Sequence, residues 1–453
     1  MPGAEHSAQG AHSYVNINDV EITPRRVLVV AFYFPPMGLS GVQRTLKFVK
    51  YLPQFGWLPT VLTVEPHGYI ARDESLLEEL TGRDVRIVRT ESAGPIRLLS
   101  RKEVVRLPAE WKRKLMSRIS DTLFIPDNKI GWRKKAVVKA LELHAETPFD
   151  LIFATAPPFT DFLIGQDIKA HINRPLVFDY RDPWADYPFK FYPTPFHKYW
   201  NGTLERKALR ASSHVITTNR RVKEQLLSRY KFLTYHDVEI IPQGFDPADY
   251  AGVATDVKQQ GTRDGTKGRR QKMRITYAGI FWEDRVPDYF LQALHDLFEE
   301  KPRLRGRIEA AFIGTFREEN KKLVAKLGLH DSVTILGYLP HGDCVRELCE
   351  SDVLWMIIGD GVGSPGKTYE YIGARKPILG CVPDGFLKST IQEAGGKTVA
   401  PDDVAGIKAA IEAYFEQFER HELRGPRDDV VEKYNRVALT GSLVKLFESL
   451  MVL

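Results

Sequence analysis

The segment of this 453-residue chain that offers the most chemistry is GDGVGSPGKTYEYIGARKPIL (359–379), where a glycine-rich loop enters a predicted helix. The helix carries Lys367 and Glu370, which are three residues apart and therefore share one face. A helix N-terminus beside a lysine suits a diphosphate, and a carboxylate can accept two hydroxyl protons from a ribose. The alternative is a plain helix start that bears a surface Lys–Glu pair.

A second loop, FYFPPMGLSGVQR (32–44), follows the first predicted strand. Gly38 and Gly41 permit close approach to the backbone, and the helix that opens after them could hold an anion with its first amide groups. The spacing is not a complete GxGxxG fingerprint, so a tight turn without a ligand is the alternative.

A third loop, DYRDPW (179–184), also ends a predicted strand. Its Arg181 and Asp182 could position an acceptor hydroxyl or accept the proton of that hydroxyl. The alternative is an Arg–Asp pair that braces the loop.

Short β-branched runs alternate with helical patterns, which predicts parallel sheets joined by crossover helices. A first series of strands is predicted at 27–32, 59–64, 85–90, 150–155, 175–180, 214–219 and 238–243. The polar stretch 253–273 interrupts the pattern, and a second series follows at 274–279, 308–314, 332–338, 353–358 and 376–381. The predicted fold is α/β, with two doubly wound, Rossmann-like domains that face a cleft where the three loops meet.

The predicted boundaries follow from these breaks in the pattern. We expect a polar tail at 1–24, an N-terminal domain at 25–248, an exposed linker at 249–273, a C-terminal domain at 274–427 and a last helix or broken helix pair at 428–453. The final helix is expected to pack back on the N-terminal domain. A length of 453 residues suits two domains of ordinary size.

The composition predicts a folded protein of the cytoplasm. Hydrophobic residues make up 43% and charged residues 27% of the chain, and no apolar run approaches the ~20 residues of a membrane span. The N-terminus has neither the basic nor the apolar region of an export signal. The three cysteines lack metal-ligand spacing and are expected to be free thiols.

Basic residues are concentrated between Arg97 and Lys139. That stretch holds thirteen Lys or Arg and four Asp or Glu, a balance of 13 − 4 = +9, against +6 for the whole chain. It could meet nucleic acid, an anionic membrane, or only solvent. Because residues 97–119 mix apolar side chains and Trp111 with the charges, we favour a membrane surface. The stretch lacks the interleaved aromatic side chains of a nucleic-acid platform, so no nucleic acid is expected.

Several motifs together resemble glycosyltransferase family 4 and its relatives with the GT-B fold. They run in order from about Arg26 to the C-terminus and include PPMGLSGVQR, TAPPFTDFLIG, FDYRDPW, IPQGFDPADY, ITYAG, GYLPHGD and SPGKTYEYIGARKPIL. The segment P-G-K-x-x-E-Y is the most specific of them. The resemblance implies a glycosyltransferase of the hexosyltransferase type that uses a nucleotide-diphosphate sugar and retains the anomeric configuration.

The resemblance also implies roles for individual residues. Glu370 is similar to the glutamate that contacts the donor ribose, and Arg285, six positions after Gly279, would face the diphosphate together with Lys367. The full donor set implied is Gly41, Gly279, Arg285, Gly337, Tyr338, Leu339, Pro365, Gly366, Lys367, Thr368 and Glu370, in which Gly337-Tyr338-Leu339 meets the base and Gly41 the phosphate. The acceptor side would include Gly38, Arg181 and Asp182.

Two positions depart from the family pattern. Val362 stands where the family has its first glutamate, and Asp360 is a candidate substitute. Arg181 stands where a histidine is common, which leaves Asp182 as the acid–base candidate. No Asp-x-Asp cluster is present, so we expect no metal and no other cofactor.

The expected acceptor is a lipid-linked glycan or a cell-surface polysaccharide, and the expected location is the cytoplasm or the inner face of the cell membrane. A sugar-nucleotide epimerase or a phosphorylase on the same fold remains the enzymatic alternative. A nucleic-acid-binding protein is the alternative from another class.

Overall fold

The computed structural model describes residues 24–38, 40–66, 72–92, 110–186, 190–252, 272–281, 285–359 and 365–452. Within them the chain forms two parallel sheets. The first has the order β3-β2-β1-β4-β5-β6-β7, with strands β1 (Arg25–Val30), β2 (Trp57–Val64), β3 (Arg86–Thr90), β4 (Leu151–Ala156), β5 (Leu176–Tyr180), β6 (His214–Thr217) and β7 (Val238–Ile240). The second has the order β10-β9-β8-β11-β12-β13, with strands β8 (Met273–Ile280), β9 (Ile308–Thr315), β10 (Val333–Gly337), β11 (Val353–Ile357), β12 (Ile378–Cys381) and β13 (Lys397–Val399).

Helices cover both faces of each sheet, so the inner strands β4, β5, β11 and β12 are buried along their whole length. In the N-terminal half the helices are Ser40–Tyr51, Ser75–Glu78, Glu110–Leu123, Arg133–Glu146, Thr160–Ile172, Pro195–Ala211 and Arg220–Arg229. In the C-terminal half they are Asp288–Glu300, Glu318–Lys326, His341–Glu350, Gly366–Gly373, Phe386–Glu393, Val404–Glu419, Asp428–Lys433 and Arg436–Ser449. No helix in the described ranges is long and apolar enough to cross a membrane.

The strand order places the three loops singled out in the sequence. In each sheet the order changes direction beside the first strand, between β1 and β4 and between β8 and β11. In open parallel sheets, ligands bind outside the carboxyl ends of the strands at such a point. The loops after β1 and β11 therefore flank the two switch points, and the loop after β5 lies one strand further along.

The predicted α/β fold with two Rossmann-like halves is confirmed. Every predicted strand is present, but β13 was missed because its three half-buried residues carry no apolar run. The expected final helix is a broken pair, in which the side chain of Asn435 caps the second helix by accepting from the amide of Val437 at 2.9 Å. Residues 249–252, placed in the predicted linker, are helical; residues 1–23 and 253–271 lie outside the described ranges.

The last helix, Arg436–Ser449, packs on the N-terminal sheet as expected. Its Leu443 and Phe447 are fully buried, and the Phe447 ring packs edge-on against Trp57 and Phe153. The chain therefore crosses between the two halves twice. The two crossings pair with each other, because the Phe245 amide donates to Tyr434 and the Phe245 carbonyl accepts from Arg436.

A buried ion pair fixes the switch point of the first sheet. Arg44 and Asp179 are 1% and 0% exposed, and their side chains meet at 3.0 Å. The remaining donors of Arg44 bind the carbonyls of Ile241 and Pro242, while Thr155 donates to Asp179. This pair joins the helix after β1 to the ends of β4, β5 and β7.

We predict that Asp179→Asn destabilises the N-terminal half by about 3–5 kcal/mol, because it leaves the Arg44 charge buried without its partner. Urea unfolding followed by tryptophan fluorescence measures this loss. Glu224→Gln is the control, since it breaks the solvent-exposed pair with Arg220 and should leave the unfolding curve unchanged. Equal curves for Asp179→Asn and wild type would contradict the assignment.

Candidate functional site

The glycine-rich segment after β11 ends in the helix Gly366–Gly373, which carries the predicted pair in its N-terminal half. Pro365 is extended at the N-cap, and its carbonyl accepts from the Thr368 amide at 3.1 Å. The ammonium of Lys367 lies 2.6 Å from a carboxylate oxygen of Glu370 and 3.6 Å from the Cys344 sulfur. The i, i+3 spacing thus produces the predicted shared face.

Lys367 and Glu370 each shift the pKa of the other. Burial alone would lower the pKa of Lys367, but the Glu370 carboxylate raises it, and the net direction is upward. Burial alone would raise the pKa of Glu370, but Lys367 and then His341 lower it. Both groups are therefore charged, and each is the main counter-charge of the other.

The helix that bears the pair is held at its C-terminal end and at its middle. The Tyr250 hydroxyl donates to the Glu370 carbonyl at 2.8 Å, and the Tyr371 hydroxyl accepts from the Ala278 amide at 2.9 Å. A Cβ at Gly373 would lie 2.6 Å from the Phe245 ring, so only glycine lets the crossing segment pack this closely. The position of Glu370 thus depends on both the crossing segment and β8.

The end of β8 brings the next predicted residues to the same edge. Gly279 faces Gly314 of β9, where φ is +110° and a Cβ would lie 2.1 Å from the Gly279 carbonyl oxygen. Burial raises the pKa of Tyr277 to about 12, while the Arg285 guanidinium acts in the opposite direction. Arg285 therefore lies at the carboxyl end of β8, as the sequence predicted. Residues 282–284 are outside the described ranges.

The segment Gly337-Tyr338-Leu339 follows β10. Gly337 has φ of +71°, which turns the chain out of the strand, and the Tyr338 side chain is 64% exposed. Burial of its hydroxyl and the charge of Asp73 raise the pKa of Tyr338, and Lys367 lowers it. Tyr338 consequently lies within electrostatic reach of both the donor-side lysine and the N-terminal half.

In the N-terminal half, the Arg181 side chain is buried and holds neighbouring loops together. Its guanidinium donates to the carbonyls of Ala156, Pro157 and Gly41, so it joins the loops after β1, β4 and β5. The sequence alternative was an Arg181–Asp182 pair that braces the loop, whereas these partners of Arg181 are backbone carbonyls. Asp182 is exposed, and Gly41 lies in the first turn of the helix Ser40–Tyr51. Gly38 packs near Asp73. Asp360 and Val362 lie outside the described ranges.

A buried charge cluster at the junction of the two halves was missed by the sequence reasoning. Lys47 lies 2.8 Å from Asp246 and 3.0 Å from Asp249, and Asp249 lies 2.9 Å from the imidazole of His341. Lys50 contacts the same Asp246 at 2.6 Å. The motifs IPQGFDPADY and GYLPHGD contain these acids and the histidine, but their partners are too distant in sequence to be paired from spacing.

The same cluster contains the group of described carboxylates best placed for a cation. Side-chain oxygens of Glu79, Asp246 and Asp249 lie within 4.8 Å of one another. The ammonium groups of Lys47 and Lys50 already lie among them at 2.6–3.0 Å. We therefore assign the cluster to the junction and not to a metal.

Comparison with known proteins shows a partial family match and a shared fold. Residues 41–249 match the sequence model of Glycosyltransferase Family 4, and a comparison with curated sequences gave no significant match. Among solved structures, sucrose-phosphate synthase from Thermosynechococcus elongatus superposes with a TM-score of 0.62 at 15% identity, over 94% of this chain and 99% of that one. HepE from Anabaena, solved with UDP and glucose, gives 0.59 at 14% identity, over 94% and 100%.

A third structure, a putative UDP-N-acetylglucosamine 2-epimerase from Listeria monocytogenes, gives 0.53 at 12% identity, over 94% and 96%. These likenesses show the shared two-domain GT-B fold. The match over residues 41–249 and the shared fold support a glycosyltransferase.

The junction generates a prediction about pH. Burial lowers the pKa of His341, but its bond to Asp249 raises the pKa further, so the folded value lies above the unfolded one. The stabilisation is then complete below about pH 6.5 and is lost as pH rises through the folded pKa. We predict that wild-type thermal stability falls between about pH 6 and 8 by an amount that His341→Gln does not show.

The control for this measurement is His330→Gln, because His330 is exposed and lies outside the junction. It should keep the wild-type pH profile. Identical pH profiles for wild type and His341→Gln would contradict an ionic role for His341.

Proposed function

We propose that this chain, whose residues 41–249 match the model of Glycosyltransferase Family 4, is a glycosyltransferase. It moves a sugar from a nucleoside-diphosphate sugar to a lipid-linked glycan or cell-surface polysaccharide. Transfer retains the anomeric configuration and uses no metal. The observation that carries this proposal is the Lys367–Glu370 pair near the start of a helix at a switch point of the second sheet. A polar pair in that place suits a diphosphate and a ribose.

Donor binding separates the pair. The diphosphate takes the place of Glu370 as the counter-charge of Lys367, and the freed carboxylate accepts hydrogen bonds from the two ribose hydroxyls. Gly337-Tyr338-Leu339 lies beside the base. Because the helix is fixed through Tyr250 and Tyr371, the exchange needs side-chain rotation alone, without movement of the backbone.

Cleavage of the anomeric C–O bond places negative charge on the departing nucleoside diphosphate. Lys367, Arg285 and the amides at the two helix N-termini supply fixed positive potential at the leaving oxygens. Such groups act on the transition state more than on the ground state, since the charge develops as the bond breaks. Retention then follows from front-face attack by the acceptor, for which a strong base is not required.

Asp182 orients the attacking hydroxyl or takes up its proton. Its position after β5, beside the braced Arg181, puts an exposed carboxylate on the acceptor side of the cleft. The epimerase alternative has a structural counterpart of the same fold. The family match favours transfer over epimerisation.

The acceptor is proposed to lie at the inner face of a membrane. The helix Glu110–Leu123 exposes Leu115, Met116, Ile119 and Leu123 by 50–68%, and these positions share one face of the helix. Basic residues in the same helix, such as Arg118, complement anionic headgroups. An apolar face bordered by positive charge suits a lipid surface better than nucleic acid.

The donor side generates a kinetic prediction. Lys367→Ala and Arg285→Ala should each lower kcat by about a hundredfold or more, since each removes one group that stabilises the leaving charge. Glu370→Ala should weaken donor binding as well as turnover. The rate at which nucleoside diphosphate is released, measured over a panel of sugar nucleotides, gives kcat and the KM for the donor.

Lys388→Ala is the matched control, because Lys388 is a C-terminal-half lysine paired with the exposed Asp384. It should keep the wild-type kcat. Loss of the wild-type rate on chelation with EDTA would sink the metal-free mechanism, and unchanged kinetics of the three site variants would remove these residues from the site.

The membrane proposal predicts binding that depends on anionic lipid. Each basic residue near an anionic surface adds about 1 kcal/mol, and salt screens this attraction. Flotation with vesicles should therefore require anionic lipid and weaken as salt rises. Replacement of Lys112, Arg113, Lys114 and Arg118 by Gln should release the protein.

The matched control removes the same charge from the C-terminal half, at Arg317, Lys321, Lys322 and Lys326 of the helix Glu318–Lys326 and its N-cap. That variant should float like wild type. Equal flotation with neutral and anionic lipid, or none, would make a soluble acceptor the better assignment.

A further inference from the structure

Lys129 is a partly buried cation in the N-terminal half that the donor chemistry does not use. Its ammonium lies 5.3 Å from the centre of the Phe32 ring and 5.9 Å from that of Tyr33. Among the residues that the structure describes, no carboxylate lies within ion-pair distance of this ammonium. Burial lowers the pKa of Lys129 to about 8, and the charge of Asp127 acts in the opposite direction.

The carboxylate whose charge acts on Lys129 is engaged elsewhere. Asp127 accepts from the amide and hydroxyl of Thr160 at 3.1 and 2.7 Å, which caps the helix Thr160–Ile172, and it also accepts from the Lys129 amide. A desolvated ammonium without an anion is unfavourable, and two aromatic rings replace only part of its hydration. The site is therefore incomplete and would gain an interaction from an anion.

Lys129 lies at the acceptor edge of the first sheet. Phe32 and Tyr33 lie two and three residues after the end of β1, and the charge of Arg181 acts on the Tyr33 hydroxyl. Arg181 in turn binds the Gly41 carbonyl. The Lys129 ammonium thus shares this edge of the first sheet with Gly41 and the loop that carries Asp182.

The exposed apolar side chains near Lys129 indicate which kind of molecule carries the anion. Lys129 follows the exposed apolar helix Glu110–Leu123 by six residues. A second helix extends that face with Phe196, Tyr199 and Trp200, which are 43–71% exposed, and His197 of this helix binds the Thr122 carbonyl at 3.2 Å. An apolar surface that leads to a lone ammonium matches an amphiphile whose apolar chain ends in an anionic group.

We propose that Lys129 is an anion subsite on the acceptor side, which binds the phosphate or diphosphate of a membrane-borne acceptor lipid. The proposal rests on the proposed function, because it assigns the anion to the molecule that receives the sugar. The apolar two-helix face holds the lipid surface, and Lys129 holds the phosphate beside Asp182.

The test is flotation of the full chain with neutral phosphatidylcholine vesicles that contain either polyprenyl phosphate or uncharged polyprenol. High salt suppresses the general attraction to the surface. Wild type should bind the phosphate-bearing vesicles about tenfold more tightly, the scale of one charge-assisted hydrogen bond. Lys129→Gln should lose this preference, and Lys129→Arg should restore most of it.

Lys134→Gln is the matched control, because Lys134 is an exposed lysine five residues away, and it should keep the preference. An equal phosphate preference in Lys129→Gln and wild type would overturn the subsite. If glucose 6-phosphate binds as tightly as the lipid phosphate, and in a Lys129-dependent way, the lipid source is overturned.

Titration of wild type with UDP-glucose and other sugar nucleotides tests the proposed function separately. Failure to bind any nucleotide sugar would count against sugar transfer, whereas donor binding without a phosphate preference would count against the subsite alone.

Discussion

The buried charge cluster around Lys47 is the interaction on which the rest of the site depends. It joins the helix Ser40–Tyr51, the segment that crosses between the halves, and the helix His341–Glu350. Removing such a group from water is costly unless every charge is paired. Here Lys47 and Lys50 face Glu79, Asp246 and Asp249, so the cluster is favourable only when the three elements meet.

The donor helix takes its position from this junction. The crossing segment that supplies Asp246 and Asp249 continues to Tyr250, whose hydroxyl binds the Glu370 carbonyl. One short segment therefore contacts both the lysine cluster of the N-terminal half and the helix that carries the donor-side pair. This arrangement couples the distance across the cleft to the orientation of Glu370, because a shift of the segment would alter both contacts.

The fold could be predicted from the sequence because its strands are buried on both faces and appear as short β-branched runs. Local spacing also gave the Lys367–Glu370 pair, since three residues along a helix bring two side chains together. The junction could not be found in this way, because Lys47 and Asp249 are separated by 202 residues and Asp249 and His341 by 92. Arg181 could be predicted as a residue of the loop after β5, but its carbonyl partners could not, because they depend on the packing of three loops.

The two sides of the cleft differ in how their cations are held before substrate arrives. Lys367 has a carboxylate partner in Glu370, so a diphosphate bound there, as proposed, would replace an existing ion pair. Lys129 on the acceptor side has aromatic rings in place of a carboxylate. If a diphosphate replaces Glu370 beside Lys367, a ligand that also donates hydrogen bonds to the Glu370 carboxylate is favoured. A ribose attached to the diphosphate can do this. An ammonium without a carboxylate selects only for charge, which suits an acceptor whose remaining contacts come from an apolar surface.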